Sequence, residues 1–219
     1  MTRELAWSSR VDTTGKQPIQ AGHVLGVASP TWLDMVINLW TLGIPGWSLS
    51  HLAIVAKHPE DGRLLVFEST TQNPTPCLFA GKSIDGWQAH ELEEWLQDRV
   101  VRRGARVWHY PLAQPLCPFE EERLTSECMQ HLGKPYDSAG ALAARTLCFG
   151  WLFHIIGHYL PNRENLDNLF CSEGVGMVLR PIGRFLDGNA SRWNPNHMAR
   201  VLRRWGILLK PAACTQEEV

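Results

Sequence analysis

One hairpin constrains this chain more than any other stretch. Leu52, Ala53, Ile54, Val55 and Ala56 are apolar at every position, between Ser50-His51 on one side and Lys57-His58-Pro59 on the other. A strand with no polar face reads as buried on both sides. Pro59-Glu60-Asp61-Gly62 then supplies a turn, and residues 63–69 the returning strand. A four-residue loop at 59–62 sets His58 opposite Arg63 and Ala53 opposite Glu68. His51 falls diagonal to Glu68 on the same sheet face, a separation that longer side chains bridge. A slip of one residue would send the two to opposite faces, so the register is a strong commitment.

The remaining elements are read around that hairpin. Residues 22–27 form a short strand. Ser29-Pro30 opens a helix carrying Leu33, Val36, Ile37 and Trp40, closed by Gly43. A loop rich in Thr, Pro, Gly and Asn spans 70–86, and a helix is predicted over 87–103 with Leu92, Trp95 and Leu96 inward. A strand follows over 106–112. Pro118 starts a helix with Glu120, Glu121 and Glu122 in its first turn and Leu124, Cys128 and Leu132 as its buried stripe. Asn194-Pro195 caps a last helix. Residues 1–20 read as a polar lead-in and 211–219 as a polar tail, and with no repeat or linker between them, 21–210 is one α+β domain.

The chemistry-bearing stretch is Asp167-Asn168-Leu169-Phe170-Cys171-Ser172-Glu173-Gly174-Val175. Asp167 and Asn168 are candidate caps, which puts Cys171 in the first helical turn. Unpaired N–H groups and the helix dipole favour an anion there, and so lower a thiol's pKa. Cys171 then fits two readings, a nucleophile or a small apolar residue in a core helix. Glu173 fits the helix N-terminus or an ion pair. His51 and Glu68 carry their own alternatives, a structural histidine beside an apolar strand and a solvated edge carboxylate. A cysteine enzyme needs a thiol, a base beside it and a group that holds the base. Cys171, His51 and Glu68 supply one of each.

Charge and cysteine usage narrow the class. Net charge is −1 with no long basic or acidic run, which gives nucleic acid no recommendation. The cluster Arg99, Arg102, Arg103 and Arg106 reads as a helix end that favours cations. The six cysteines (Cys77, Cys117, Cys128, Cys148, Cys171, Cys214) contain no CxxC pair, so neither a disulfide framework nor a zinc ribbon is expected. His154 and His158 lie one helical turn apart but lack a third ligand in sequence, and no metal or cofactor is expected. The N-terminus has no apolar core segment, so the chain is expected to be cytoplasmic with reduced thiols. Residues 140–160 are the most apolar part, interrupted by Arg145, His154 and His158. They read as a buried or cleft-lining helix, with membrane-surface contact through 147–157 as the alternative.

Five motifs in order carry a family resemblance: Gly22-His23-Val24-Leu25, Ser50-His51-Leu52-Ala53-Ile54-Val55, Val66-Phe67-Glu68, Gly133-Lys134-Pro135-Tyr136-Asp137, and Phe170-Cys171-Ser172-Glu173. Together they resemble the permuted papain-like cysteine enzymes of the NlpC superfamily, nearest its YiiX-type branch and more distantly lecithin:retinol acyltransferase. The likeness runs from about residue 21 to 205. It implies a circularly permuted papain-like fold, a small antiparallel sheet packed against helices with the nucleophile at a helix N-terminus. It also implies Cys171 as nucleophile, His51 as base and Glu68 as its orienting acid, while Tyr136 fits two readings, a further oxyanion donor or a core tyrosine after a turn. Two positions depart from the family: His23 replaces an aspartate, and Gly174 replaces a leucine. A close contact across Gly174, with substrate among the options, would explain the second exchange.

The expected activity is amide hydrolysis through a thioester, on a peptide or isopeptide-like bond of peptidoglycan type. Lipid acyl transfer or thioester hydrolysis by the same Cys–His pair, and a catalytically inactive binding module, are the alternatives. The expected substrate is accordingly a peptide, glycopeptide or lipid.

Overall fold

A computed structural model describes residues 17–28, 49–71, 74–137, 169–185, 190 and 193–214. Among these, six strands form one antiparallel sheet: β1 Val24–Ala28, β2 His51–Lys57, β3 Leu64–Thr70, β4 Gly86–Glu91, β5 Arg106–Tyr110 and β6 Ala212–Cys214. Their order across the sheet is β4-β3-β2-β1-β5-β6. Four α-helices accompany them: α1 Leu92–Leu96, α2 Pro118–Gln130, α3 Cys171–Leu179 and α4 Pro195–Arg204. The architecture is α+β. No helix among the described residues is long and apolar enough to cross a membrane.

The central strands are apolar throughout because each face of the sheet meets its own core. On one face Leu52, Ile54, Leu65, Phe67, Trp87 and Ala89 pack with residues of α2, α3 and α4, among them Leu124, Val175, Val178 and Leu202. On the other, Leu25, Val27, Ala53, Val55, Val66 and Val107 pack with Leu92, Trp95, Leu96 and Val100. A fully buried Leu or Phe contributes about 1.5–3 kcal/mol of transfer free energy, so both faces stabilise the sheet substantially.

Three sequence expectations change. Residues 86–91 are a strand rather than the start of a helix, and only 92–96 are α-helical. Pairing decides this. Ala89 lies opposite Phe67 and Gln88 opposite Glu68, while the Trp87 indole donates to the Cys128 carbonyl at 3.0 Å. Gly86 permits the entry, with φ 118° and no room for a Cβ against the Lys134 carbonyl. Second, part of the polar tail is structural, because Ala212–Cys214 pairs with β5 and covers its open edge. The lead-in likewise places Ile19 in the core, 4% exposed. Third, α3 is capped by Phe170, in extended conformation and without a side-chain cap bond. Asp167 and Asn168, the helix expected after Ser29, and the apolar 140–160 segment with its 147–157 patch and His154–His158 pair all lie outside the described residues.

The two family departures find partners inside the protein. A Cβ at Gly174 would overlap the Trp87 ring, so the close contact is with this indole on β4. His23 Nδ1 lies 2.7 Å from His109 Nε2 and accepts the Gln20 N–H at 3.2 Å. Nδ1 is therefore an acceptor and His109 donates to it. Burial pushes His23 down to about 3, aided by the His109 charge, and pushes His109 down to about 4.

Two outcomes are expected. Gly174→Ala should destabilise the fold by about 1–3 kcal/mol through overpacking against Trp87, read as a lower urea midpoint with unchanged slope. An unaltered midpoint would show that the indole yields. The histidine pair stays neutral when folded, whereas the unfolded chain takes up protons below about pH 6.5. Its contribution is thus intact above that pH and is lost as acid is added down through about 4 and 3. Urea unfolding between pH 7 and 4.5 should show this decline, and His109→Gln should make it shallower. Equal slopes in both proteins would contradict it.

Candidate active site

The hairpin adopts the register its loop length dictates. The His58 N–H donates to the Arg63 carbonyl at 2.7 Å, and Ala53 lies opposite Glu68. His51 and Glu68 therefore share a face, and His51 Nε2 sits 2.7 Å from Glu68 Oε2. At the mouth of these strands the segment entering α3 is clamped. The Ser69 hydroxyl donates to the Leu169 carbonyl at 2.5 Å, and Leu169 forms a parallel bridge with Tyr136. This fixes the helix start where β2 begins. Cys171 is the first helical residue, 5% exposed, and packs with Phe170 against Tyr136.

The sulfur is hydrogen-bonded to His51 and receives the backbone N–H groups of Leu52 and Ser172. With Nε2 engaged by Glu68, Nδ1 is the nitrogen left for Cys171. Burial works against the thiolate, but the hydrogen bond and charge of His51, with the two N–H groups, hold the thiol below its ordinary range. Burial also works against the imidazolium. The hydrogen bond and charge of Cys171, followed by those of Glu68, more than offset it and raise His51 to about 9. These shifts are two sides of one coupled pair, in which imidazolium favours thiolate and thiolate favours imidazolium.

Glu68 is wholly buried. Burial favours its neutral form, but the Arg99 charge and then the His51 contact hold its carboxyl well below the usual carboxylate range. One guanidinium nitrogen of Arg99 lies 2.8 Å from Oε1 and 3.1 Å from Oε2. His90 Nε2 stands 3.8 Å from Oε1. Burial first, and Arg99 after it, keep the His90 pKa low despite the opposing pull of Glu68.

All four sequence-derived candidates thus converge on one place: Cys171, His51 and Glu68 in direct sequence, with Tyr136 alongside. Arg99 and His90 were not foreseen. Arg99 reads in sequence as one of four arginines at a helix end, yet its guanidinium reaches the sheet. His90 was assigned to a helix, and only as a strand residue two positions from Gln88 does it fall on the Glu68 face. Glu173 lies in the first turn of α3, at the helix N-terminus, and is fully buried there. Among the described residues, no group of three or more His, Cys, Asp or Glu side chains is arranged to hold a metal ion.

No family model matches the chain, and no curated protein does either. Among solved structures, the crystal structure of the metalloprotein YiiX from Escherichia coli O157:H7 is similar, with 17% identity, 91% of each chain covered and a TM-score of 0.48.

Proposed function

We propose that the protein is a cysteine hydrolase that cleaves an amide bond, peptide or isopeptide-like, through a thioester on Cys171, within a circularly permuted papain-like fold. The observation that carries this reading is the Cys171–His51–Glu68 chain of contacts, with a thiol held below its ordinary range at a helix start and a buried carboxylate behind the imidazole. In that arrangement the Cys171 thiolate attacks the substrate carbonyl, forming a C–S bond and a tetrahedral oxyanion. The Cys171 backbone N–H, unpaired within the helix at this first position, and Tyr136 beside it are the donors assigned to that oxyanion. Protonated His51 gives its proton to the departing amine as the C–N bond breaks. His51, now neutral, takes a proton from water, which attacks the thioester, and the C–S bond breaks to release the acid. Glu68 stays ionised throughout, fixing the tautomer and orientation of the ring.

Two readouts test the reading. Alkylation of Cys171 by iodoacetamide should reach its plateau below the ordinary thiol range, and His51→Ala should displace that profile upward in pH. Turnover of a peptidoglycan-type peptide amide should fall about 10²–10⁴-fold in His51→Ala, disappear in Cys171→Ala, and decline in wild type as pH rises through about 9, where His51 loses the proton the leaving amine needs. Labelling indifferent to His51→Ala, with no turnover of any amide tried, would end the proposal.

A further inference from the structure

We propose that Arg99, presented by the π-helical turn Gln97–Arg102, is a positioning residue of this site: its guanidinium fixes the Glu68 carboxylate, ionised and correctly turned, so that Glu68 in turn holds His51 towards the sulfur. The inference rests on the hydrolase reading and deepens it.

The geometry carries the argument. Glu68 is wholly buried beneath β2, β3 and β4, where an uncompensated carboxylate is strongly disfavoured. The neighbours that face it are His51 from β2, His90 from β4 and Arg99 from the turn after α1, with Cys171 acting through His51 and Glu94 acting on His90. Of these only Arg99 is a permanent cation, so the negative charge behind His51 does not depend on the protonation of any histidine. Oε2 receives both His51 and Arg99, at 2.7 and 3.1 Å, so displacing the guanidinium frees the same oxygen that orients the ring.

The backbone around Arg99 is unusual in a way that serves this contact. Residues 97–102 continue α1 as a wide π-turn, closed by the Arg103 N–H on the Asp98 carbonyl at 3.0 Å. The turn lets Val100 face the core, 5% exposed, while Arg99 lies over the Trp95 ring at 5.5 Å and reaches Glu68. Asp98 is held by Arg103 at 2.7 Å, which leaves the Glu68 contact to Arg99. π-Turns inside helices recur at functional sites because they re-aim side chains.

The test is the pH profile of Cys171 alkylation by iodoacetamide from pH 5 to 10, resolved by residue in the full chain. The exposed Cys117 reports the reagent, and the buried Cys128 reports unfolding. Arg99→Gln should move the Cys171 profile upward by about one pH unit, roughly tenfold slower at pH 6, and converge with wild type at pH 10, where thiolate forms regardless. Arg99→Lys, which keeps the charge, should recover most of that loss. In a Glu68→Gln background the Arg99→Gln change should add nothing, because its route to the sulfur has been removed. A wild-type profile in Arg99→Gln, a Lys variant that behaves like Gln, or a further loss on top of Glu68→Gln overturns the inference. If Arg99→Gln alone exposes Cys128, the double variant, which removes both charges, decides by the same comparison. His51→Ala separates the two claims: silence there defeats the hydrolase reading, whereas silence of the Arg99 variants alone defeats only the positioning role.

Discussion

A buried carboxylate between a guanidinium and an imidazole is the interaction on which the rest of the site depends. Glu68 has no solvent to stabilise its charge, and Arg99 and His51, which meet it from two sides, favour it as an anion. That anion makes the imidazolium of His51 favourable, and the imidazolium makes the thiolate of Cys171 favourable. Remove any link and burial, which opposes every charge in the chain, regains control. The site is therefore one electrostatic unit rather than three independent residues.

The fold is arranged to keep that unit dry and fixed. Both sheet faces are covered, so β2 and β3 have little freedom to slide, and a one-residue slip would separate His51 from Glu68 altogether. The helix carrying the nucleophile is anchored on the opposite side by its own apolar residues and, through Gly174, by direct contact with Trp87. The same tryptophan ties β4 to α2 through its indole. Strand, helix and site are consequently set by a few shared contacts, in which a change at β4 is felt at α3.

Legibility in the sequence followed how local each constraint was. The β2–β3 register was legible because a four-residue turn and an uninterrupted apolar run leave one alignment. The first-turn position of Cys171 was legible because an apolar helical pattern begins there, although the expected caps were not the observed one. β4 was misread because Trp87, Leu92, Trp95 and Leu96 look like one helix when the partner strand is unknown, and with that misreading His90 was lost from the site. The tail strand was missed because three small residues, Ala212, Ala213 and Cys214, carry no pattern of their own and gain strand geometry only from the β5 edge.

By itself the sequence determined the hairpin, its register and the presence of a thiol at a helix start, since each follows from turn length or apolar periodicity within a few residues. Tertiary structure alone decided that the Cys171 sulfur meets the His51–Glu68 pair, that Arg99 stands behind Glu68, and that His23 pairs with His109. The physical reason is the same in each case. These contacts join groups from 31 to 120 positions apart (Arg99 to Glu68, Cys171 to His51), and their geometry is set by how the sheet's two cores pack, which no local pattern encodes.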